Sequence, residues 1–252
     1  MIDSHCHLAD KKFAQDLPEV LQRAHDAGVD RMVTIADTLE EGDRCMDIAG
    51  KYEQIYCTIG VHPHHADEWI TDSGNRIITE AAKQPKVVAV GEIGLDYHYM
   101  NSPKEDQIKA FRDQIEIAKE LDLPIVVHNR ESISDLLEII RELEPKKLVL
   151  HCNTEKWEDC SELIERGYLF GFTGIATYLK SEAIRNTIKQ CPLEQMMVET
   201  DAPYLAPEGF RGKRCEPMHV MEVAKLVSEI KGVSLEEVDE ITTANAVAFY
   251  AL

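Results

Sequence analysis

Val87-Val88-Ala89-Val90-Gly91-Glu92-Ile93 is an apolar, β-branched run interrupted near its end by an acid. Behind it comes a helical pattern, Pro103–Leu121, with Ile108, Phe111, Ile115 and Ala118 in register and Pro103 suited to the first turn. A second apolar run, Ile125–His128, follows. Strand, helix, strand in this order is the repeating unit of a parallel sheet. Its strands are covered on both faces and so read as continuous apolar runs. The same alternation extends in both directions. Runs at Ile2–Leu8, Arg31–Ala36, Ile55–Val61, Leu148–His151, Tyr168–Phe172 and Met196–Thr200 bring the expected strands to eight. Helical spacing recurs at Asp16–Ala27, Ser132–Leu143, Glu158–Glu165, Met218–Ile230 and Leu235–Phe249. Gly28 ends the first of these, and Ser234 with Glu237 forms a capping box at the last. A loop rich in Gly and Pro, Ala206–Pro217, follows the eighth run.

Eight such repeats predict an α/β chain folded as a closed (β/α)8 barrel of TIM type, with its site at the C-terminal ends of the strands. The rival is an open doubly wound sheet. It lacks its signature here, because no G-x-G-x-x-G follows the first strand and no G-x-x-x-x-G-K-[ST] is present. A length of 252 residues suits one barrel domain, and no linker, repeat or low-complexity tract divides residues 1–252.

Composition narrows the function. The formal net charge of −19 opposes broad binding of nucleic acid, which needs a basic surface to displace counterions. It leaves room for local binding at a metal centre, where divalent cations supply the missing positive charge. No apolar stretch is long enough to span a bilayer, and Met1-Ile2-Asp3-Ser4-His5 has neither the basic region nor the apolar core of a signal peptide. The expected location is the cytoplasm, with no membrane and no obligate protein partner. Seven scattered cysteines without C-x-x-C spacing read as reduced thiols used in packing.

The chemistry lies where the runs end. Residues i and i+2 of a strand share a face, so His5 and His7 can reach one cation together while Cys6 points the other way. Glu92 is misplaced for a buried strand, since a buried carboxylate is costly unless paired or ligated. Gly91 and Gly94 beside it let the backbone crowd a ligand. A metal resolves the cost; a salt bridge to an arginine such as Arg130 is the alternative. His128 and His151 end two more apolar runs, and Glu199-Thr200-Asp201 closes the eighth. Taken singly, each histidine is more often a hydrogen-bonded core residue. Taken together they fall on strand ends that a parallel barrel brings to one face. Imidazole and carboxylate ligands suit Zn, Mn or Mg, and six of them exceed what one catalytic ion with an open position needs. Two divalent ions are therefore expected. Asp201 is the candidate for orienting the attacking water and accepting its proton.

The segments SHCHL (4–8), GVHPHH (60–65), GEIGLDY (91–97), HNRES (128–132), HC (151–152), GFTGIATY (171–178), ETDAPYLAP (199–207) and RGKRCEP (211–217) resemble, in order, the motifs of the TatD family of metal-dependent hydrolases and deoxyribonucleases. The resemblance covers essentially the whole chain. It implies a (β/α)8 barrel of the amidohydrolase-like group that hydrolyses the phosphodiester bonds of DNA or an oligonucleotide, often from a 3′ end. By that resemblance His5, His7, Glu92 and Asp201 hold one cation. Glu92, His128 and His151 hold the second, with Glu92 bridging and acting with Asp201 in catalysis. The family's invariant histidine falls on His62, and its basic loop on Arg211 and Arg214. Two departures flank the site and bear on substrate preference: Asn153-Thr154-Glu155, where the family usually has Phe-Ser-Gly, and Cys215, where it usually has Asn.

Around these residues, His62 and His64 read as substrate contacts. Arg130 offers a fork for a phosphate oxygen, with a salt bridge to Glu131 or Asp96 as the alternative. Tyr97 and Tyr99 read as base-stacking rings or as packing. Two rivals stay open. One is a small-molecule hydrolase acting on a lactone, amide or phosphoester, which the acidic charge favours. Related barrels often bridge their metals with a carbamylated lysine, and the absence of any Lys from Val87 to Tyr99 favours the nuclease. The other is a binding protein that kept the fold without catalysis.

Overall fold

The computed structural model describes residues 1–252. Strand and helix alternate along it, beginning with β1 (Ile2–Cys6), α1 (Leu17–Asp26), β2 (Arg31–Thr34), α2 (Leu39–Lys51) and β3 (Ile55–Ile59). Next come α3 (Thr71–Ala81), β4 (Val87–Asp96), α4 (Lys104–Leu121), β5 (Ile125–Arg130), α5 (Ile133–Leu143) and β6 (Leu148–Leu150). The last elements are α6 (Trp157–Glu165), β7 (Leu169–Phe172), α7 (Glu182–Gln190), β8 (Met196–Val198), α8 (Val220–Lys231) and α9 (Leu235–Tyr250). The eight strands follow chain order in one sheet. The β3/β4, β4/β5, β5/β6 and β7/β8 pairs are parallel. This is the (β/α)8 topology that the alternation predicts. No helix is long and apolar enough to cross a membrane.

The chain divides into two compact units, Met1–Val33 with Cys152–Leu252, and Thr34–His151. In the first, β1 and the segment after β8 continue their pairing beyond the regular strands. His7 N donates to Ala202 O at 2.7 Å and Asp201 N to His5 O at 2.9 Å. Asp3 reinforces the pairing by accepting from the backbone N and the Oγ1 of Thr200, at 2.9 and 2.6 Å. From α9, the Tyr250 hydroxyl donates to Ser4 O. In the second unit, β4 is buried along all ten residues. That is why it reads as unbroken apolar sequence apart from its acids.

Several boundaries differ from the sequence expectation, each for a local reason. β4 continues past Ile93 to Asp96, and β5 past His128 to Arg130, with Gly94 opposite His128 and Asp96 opposite Arg130. The continuation needs Gly94. Its φ is +143°, and a Cβ there would lie 2.0 Å from His128 O. β6 and β8 stop at Leu150 and Val198, so His151 and Glu199–Asp201 sit just beyond the strands rather than inside them.

Helices α2, α3 and α7 stand in stretches for which the sequence reading names no helix. α2 buries only Gly42, Cys45 and Ala49, because Ile59 occupies the space where a Gly42 side chain would project. α3 opens Thr71-Asp72-Ser73-Gly74-Asn75, a composition that reads as a turn, and buries Gly74 under Trp69. α7 buries only Ile184, Thr187 and Ile188. None of the seven cysteines forms a disulfide.

Candidate functional site

In the first unit, the two-residue period of β1 sends His5 and His7 to the same side, while Cys6 Sγ turns to Val33 O. The His5 and His7 Nε2 atoms are 3.3 Å apart. Asp201 Oδ1 lies 3.2 Å from His7 Nε2 and 3.7 Å from His5 Nε2. Asp201 is delivered there in a left-handed conformation, φ 58°, that Asp tolerates better than most residues, and its amide is fixed on His5 O. Zinc bonds to nitrogen and oxygen are about 2.0–2.1 Å, which for a tetrahedral ion puts neighbouring ligand atoms roughly 3.3 Å apart. The three observed separations bracket that spacing. Two imidazoles and a carboxylate so arranged fit a divalent cation, and the group is one of those able to hold a metal.

In the second unit, Glu92 ends the apolar part of β4 at 2% exposure. Its Oε1 lies 2.9 Å from His128 Nδ1, 3.7 Å from His62 Nε2 and 4.0 Å from His151 Nε2. Glu92, His62 and His128 form a second ligand group. Several imidazoles, rather than Arg130, thus surround the carboxylate for which the sequence allowed either partner.

The other nitrogen of His128, Nε2, faces Asp96 Oδ2 at 3.2 Å, and the same oxygen meets His64 Nε2 at 2.8 Å. Asp96 Oδ1 accepts from the backbone N of His98 and Tyr99, at 3.0 and 2.8 Å. A ligating histidine commonly gives its second N–H to a carboxylate, which sets ring orientation and tautomer. Asp96 has that place. Burial disfavours charge on both groups, but their mutual hydrogen bond prevails. His128 is pushed up to about 9 by Asp96 and Glu92. Asp96 is held below the usual carboxylate range by His128, the Tyr99 amide and His64.

Two buried glutamines of α4, seven residues apart and so on one face, brace the backbone of this unit. Gln107 Oε1 accepts from Asp96 N at 2.8 Å while its Nε2 donates to Asp96 O at 3.0 Å. Gln114 does the same for Val61, at 2.7 and 3.1 Å, one residue before His62.

The remaining candidates separate by what they touch. Arg130 is exposed, makes no ion pair, and lies 4.6 Å over the Tyr99 ring. Of its two suggested partners, Asp96 is bonded to the histidines and Glu131 to His98. Tyr97 is packing: its hydroxyl donates to Asp135 and Lys104 covers its ring. Arg211 is exposed over Tyr178. Arg214 is committed elsewhere, donating to both oxygens of Asp16 and to Glu216 Oε1, with its guanidinium over Phe13. In the two departures from the family pattern, Asn153 and Cys215 turn inward while Thr154 is exposed. Asn153 is buried, bonding Glu155 N and Cys160 Sγ, and Cys215 is buried with its amide on Pro203 O.

Sequence reasoning missed Asp96 as a histidine partner, and it missed Gln107 and Gln114. Asp96 carried a readable signal, an acid closing an apolar run four residues after Glu92. The glutamines carried only their positions on the buried face of a long amphipathic helix.

Comparison with known proteins finds relatives over the whole chain. Residues 2–251 match the family described as TatD related DNase. The chain is 37% identical over 248 residues to the uncharacterized metal-dependent hydrolase YabD of Bacillus subtilis, covering 98% of this chain and 97% of that one. It is 33% identical over 259 residues to the 3′-5′ ssDNA/RNA exonuclease TatD of Citrobacter rodentium, covering 100% and 98%. Among solved structures, the TatD homologue YjjV of Escherichia coli superposes with a TM-score of 0.94 at 28% identity, covering 100% of this chain and 98% of that one. The fold is accordingly the (β/α)8 TIM barrel expected from the sequence. With its ligand groups on β1, β4, β5 and the segment after β8, this chain belongs to the TatD family of metal-dependent hydrolases.

Proposed function

We propose that this chain, acting as a single domain over residues 1–252 in the cytoplasm, hydrolyses phosphodiester bonds of DNA as a metal-dependent exonuclease on short or single-stranded ends. The observation that carries the reading is the pair of ligand groups, His5/His7/Asp201 and Glu92/His62/His128, each combining imidazole and carboxylate. The exonuclease name of the Citrobacter relative supports the substrate class. The Bacillus relative is named only as a metal-dependent hydrolase.

Bound divalent cations lower the pKa of water toward neutrality and offset charge developing on phosphoryl oxygens. His5, His7 and Asp201 would hold one ion, and Glu92, His128 and His151, as the family resemblance implies, the other. His62, 3.7 Å from Glu92 and itself a member of the second group, serves substrate or ion. Asp201 orients the attacking water and takes its proton. Asp96 keeps the His128 ring in one orientation. The Arg130 fork binds non-bridging phosphate oxygens, and Arg211 is a further phosphate contact.

The test is a metal-screened assay on 3′- and 5′-labelled single-stranded oligonucleotides with Mg, Mn and Zn. Stepwise shortening from the 3′ end is expected, abolished by EDTA and by Asp201→Asn, and restored to the EDTA-treated wild type by added metal. The charge of −19 favours a second reading, hydrolysis of a small lactone, amide or phosphoester. Turnover of such compounds with no cleavage of any oligonucleotide selects that reading and rejects the first.

A further inference from the structure

Resting on the nuclease reading, we propose that Tyr99 and Arg130 form a nucleobase-stacking subsite for single-stranded nucleic acid. In it a base lies against the Tyr99 ring while the adjacent phosphate meets the Arg130 fork.

The two tyrosines of Asp96-Tyr97-His98-Tyr99 have opposite fates. Tyr97 has its hydroxyl on Asp135 and its ring under Lys104, so nothing is left to offer a ligand. Tyr99 is 55% exposed, the larger fraction of the two exposed tyrosine rings, Tyr99 and Tyr204. Its exposure is not looseness. Asp96 Oδ1 fixes the Tyr99 amide at 2.8 Å, and the rings of His64 and His98 stand nearly perpendicular to it, with centroids 5.5 and 4.9 Å away. A rigid, half-exposed ring loses little entropy when a base stacks on it.

Arg130 completes the pair. Its guanidinium lies 4.6 Å from the Tyr99 centroid. It makes no ion pair, although Asp and Glu number 46 against 27 Lys and Arg, so finding an acid would be easy. A cation held by an aromatic face keeps all its N–H donors for a ligand, and the fork matches phosphate oxygens. His64, at the edge of the Tyr99 ring, shares Asp96 Oδ2 with His128, so the platform and the ligand group hang on one buried carboxylate. Stacking is indifferent to base identity but requires an unpaired base. The subsite thus selects single-stranded ends of any sequence, and it has no use for a lactone or simple ester.

The experiment compares wild type, Tyr99→Ala and Tyr99→Phe on a single-stranded oligonucleotide ending in a normal 3′ nucleotide and on one ending in an abasic 3′ residue. Binding is read in parallel, in EDTA, from quenching of a 3′-terminal 2-aminopurine. Wild type is expected to favour the base-bearing end in kcat/KM by on the order of tenfold, the size of one base–aromatic stack. Tyr99→Ala should erase that preference and the quenching, and Tyr99→Phe should keep both. Equal losses on the two ends in Tyr99→Ala, or a wild-type preference that survives it, overturn the subsite. The binding arm separates the two readings. Quenching that depends on Tyr99 without cleavage by any metal supports the platform and sinks the nuclease. Cleavage without quenching in wild type does the reverse.

Discussion

One oxygen of Asp96 is pinned by two peptide amides and the other is shared by His64 and His128, so this buried side chain fixes the ring that faces Glu92. Removing such a partner typically costs about 10–100-fold in metal affinity. Asp96→Ala is therefore expected to weaken Mn binding by that order in calorimetric titration. Unchanged affinity in a folded variant would show that His128 needs no orienting group. Gly94 makes a second single-residue case. With φ at +143° and His128 O only 2.0 Å from where a Cβ would stand, there is no room for alanine. Gly94→Ala should lower unfolding free energy by more than about 2 kcal/mol in denaturant titration, by strain and separation of β4 from β5. At this scale the sequence was partly transparent. His5 and His7 were visible because a strand has a period of two, and Glu92 because an acid in an apolar run needs a partner. Asp96 was hidden because the expected strand stopped at Ile93, three residues short of the observed end.

Helix α4 shows what an element adds beyond its apolar stripe. Gln107 and Gln114 sit among the buried residues of that stripe, and each satisfies the N–H and C=O of one peptide next to a functional side chain. Gln114→Leu keeps the volume but strands both groups of Val61, which costs about 1–3 kcal/mol for an unsatisfied buried group. The expected result is a lower unfolding midpoint together with a raised KM, because His62 follows Val61. A stable variant with native kinetics would mean that water replaces the amide. The 211–217 loop, where the family resemblance puts its basic residues, commits one of them to neighbouring acids. Arg214 ties Asp16 to Glu216, and Arg23 joins the same acids. Burial works against Glu216 ionising, but Arg23 and Arg214 hold it below its ordinary value, and Arg214 first of all does so for Asp16. Carboxylates depressed on folding stabilise above their unfolded pKa, and that contribution disappears as pH falls through the depressed value. Arg214→Ala should accordingly lower the melting temperature at neutral pH more than it raises KM, and the gap from wild type should close as pH drops below about 4. A large rise in KM with native stability would return Arg214 to the substrate. Among the elements, helices with long apolar stripes were legible, whereas α2 and α3 each bury a glycine, Gly42 against Ile59 and Gly74 against Trp69, inside polar sequence that reads as a turn.

For the molecule as a whole, the eightfold alternation was enough to reach the fold class, because continuous apolar strands separated by helices have few closed solutions. The charge of −19 constrains function just as broadly, and it acts against the nucleic-acid substrate proposed above. Proteins that hold nucleic acid through many lysines and arginines lose affinity steeply as salt rises, roughly one power of salt concentration per phosphate neutralised. Here Arg130 and Arg211 are the two candidate arginine contacts left exposed, and the net charge of −19 repels a polyanion. Salt then has two opposed effects. It competes at those few contacts, and it shortens the reach of the repulsion from about 30 Å at 0.01 M to about 8 Å at 0.15 M. The expected log–log dependence of kcat/KM on salt is shallow for a short oligonucleotide, with a slope no steeper than about −2. For longer single strands, whose distal phosphates feel only the repulsion, the slope should turn flatter or positive. The check is kcat/KM for strands of increasing length across that salt range at fixed metal concentration. A slope that steepens with length would reveal an extended basic track, and the local, metal-centred mode of binding argued from the charge would have to be abandoned.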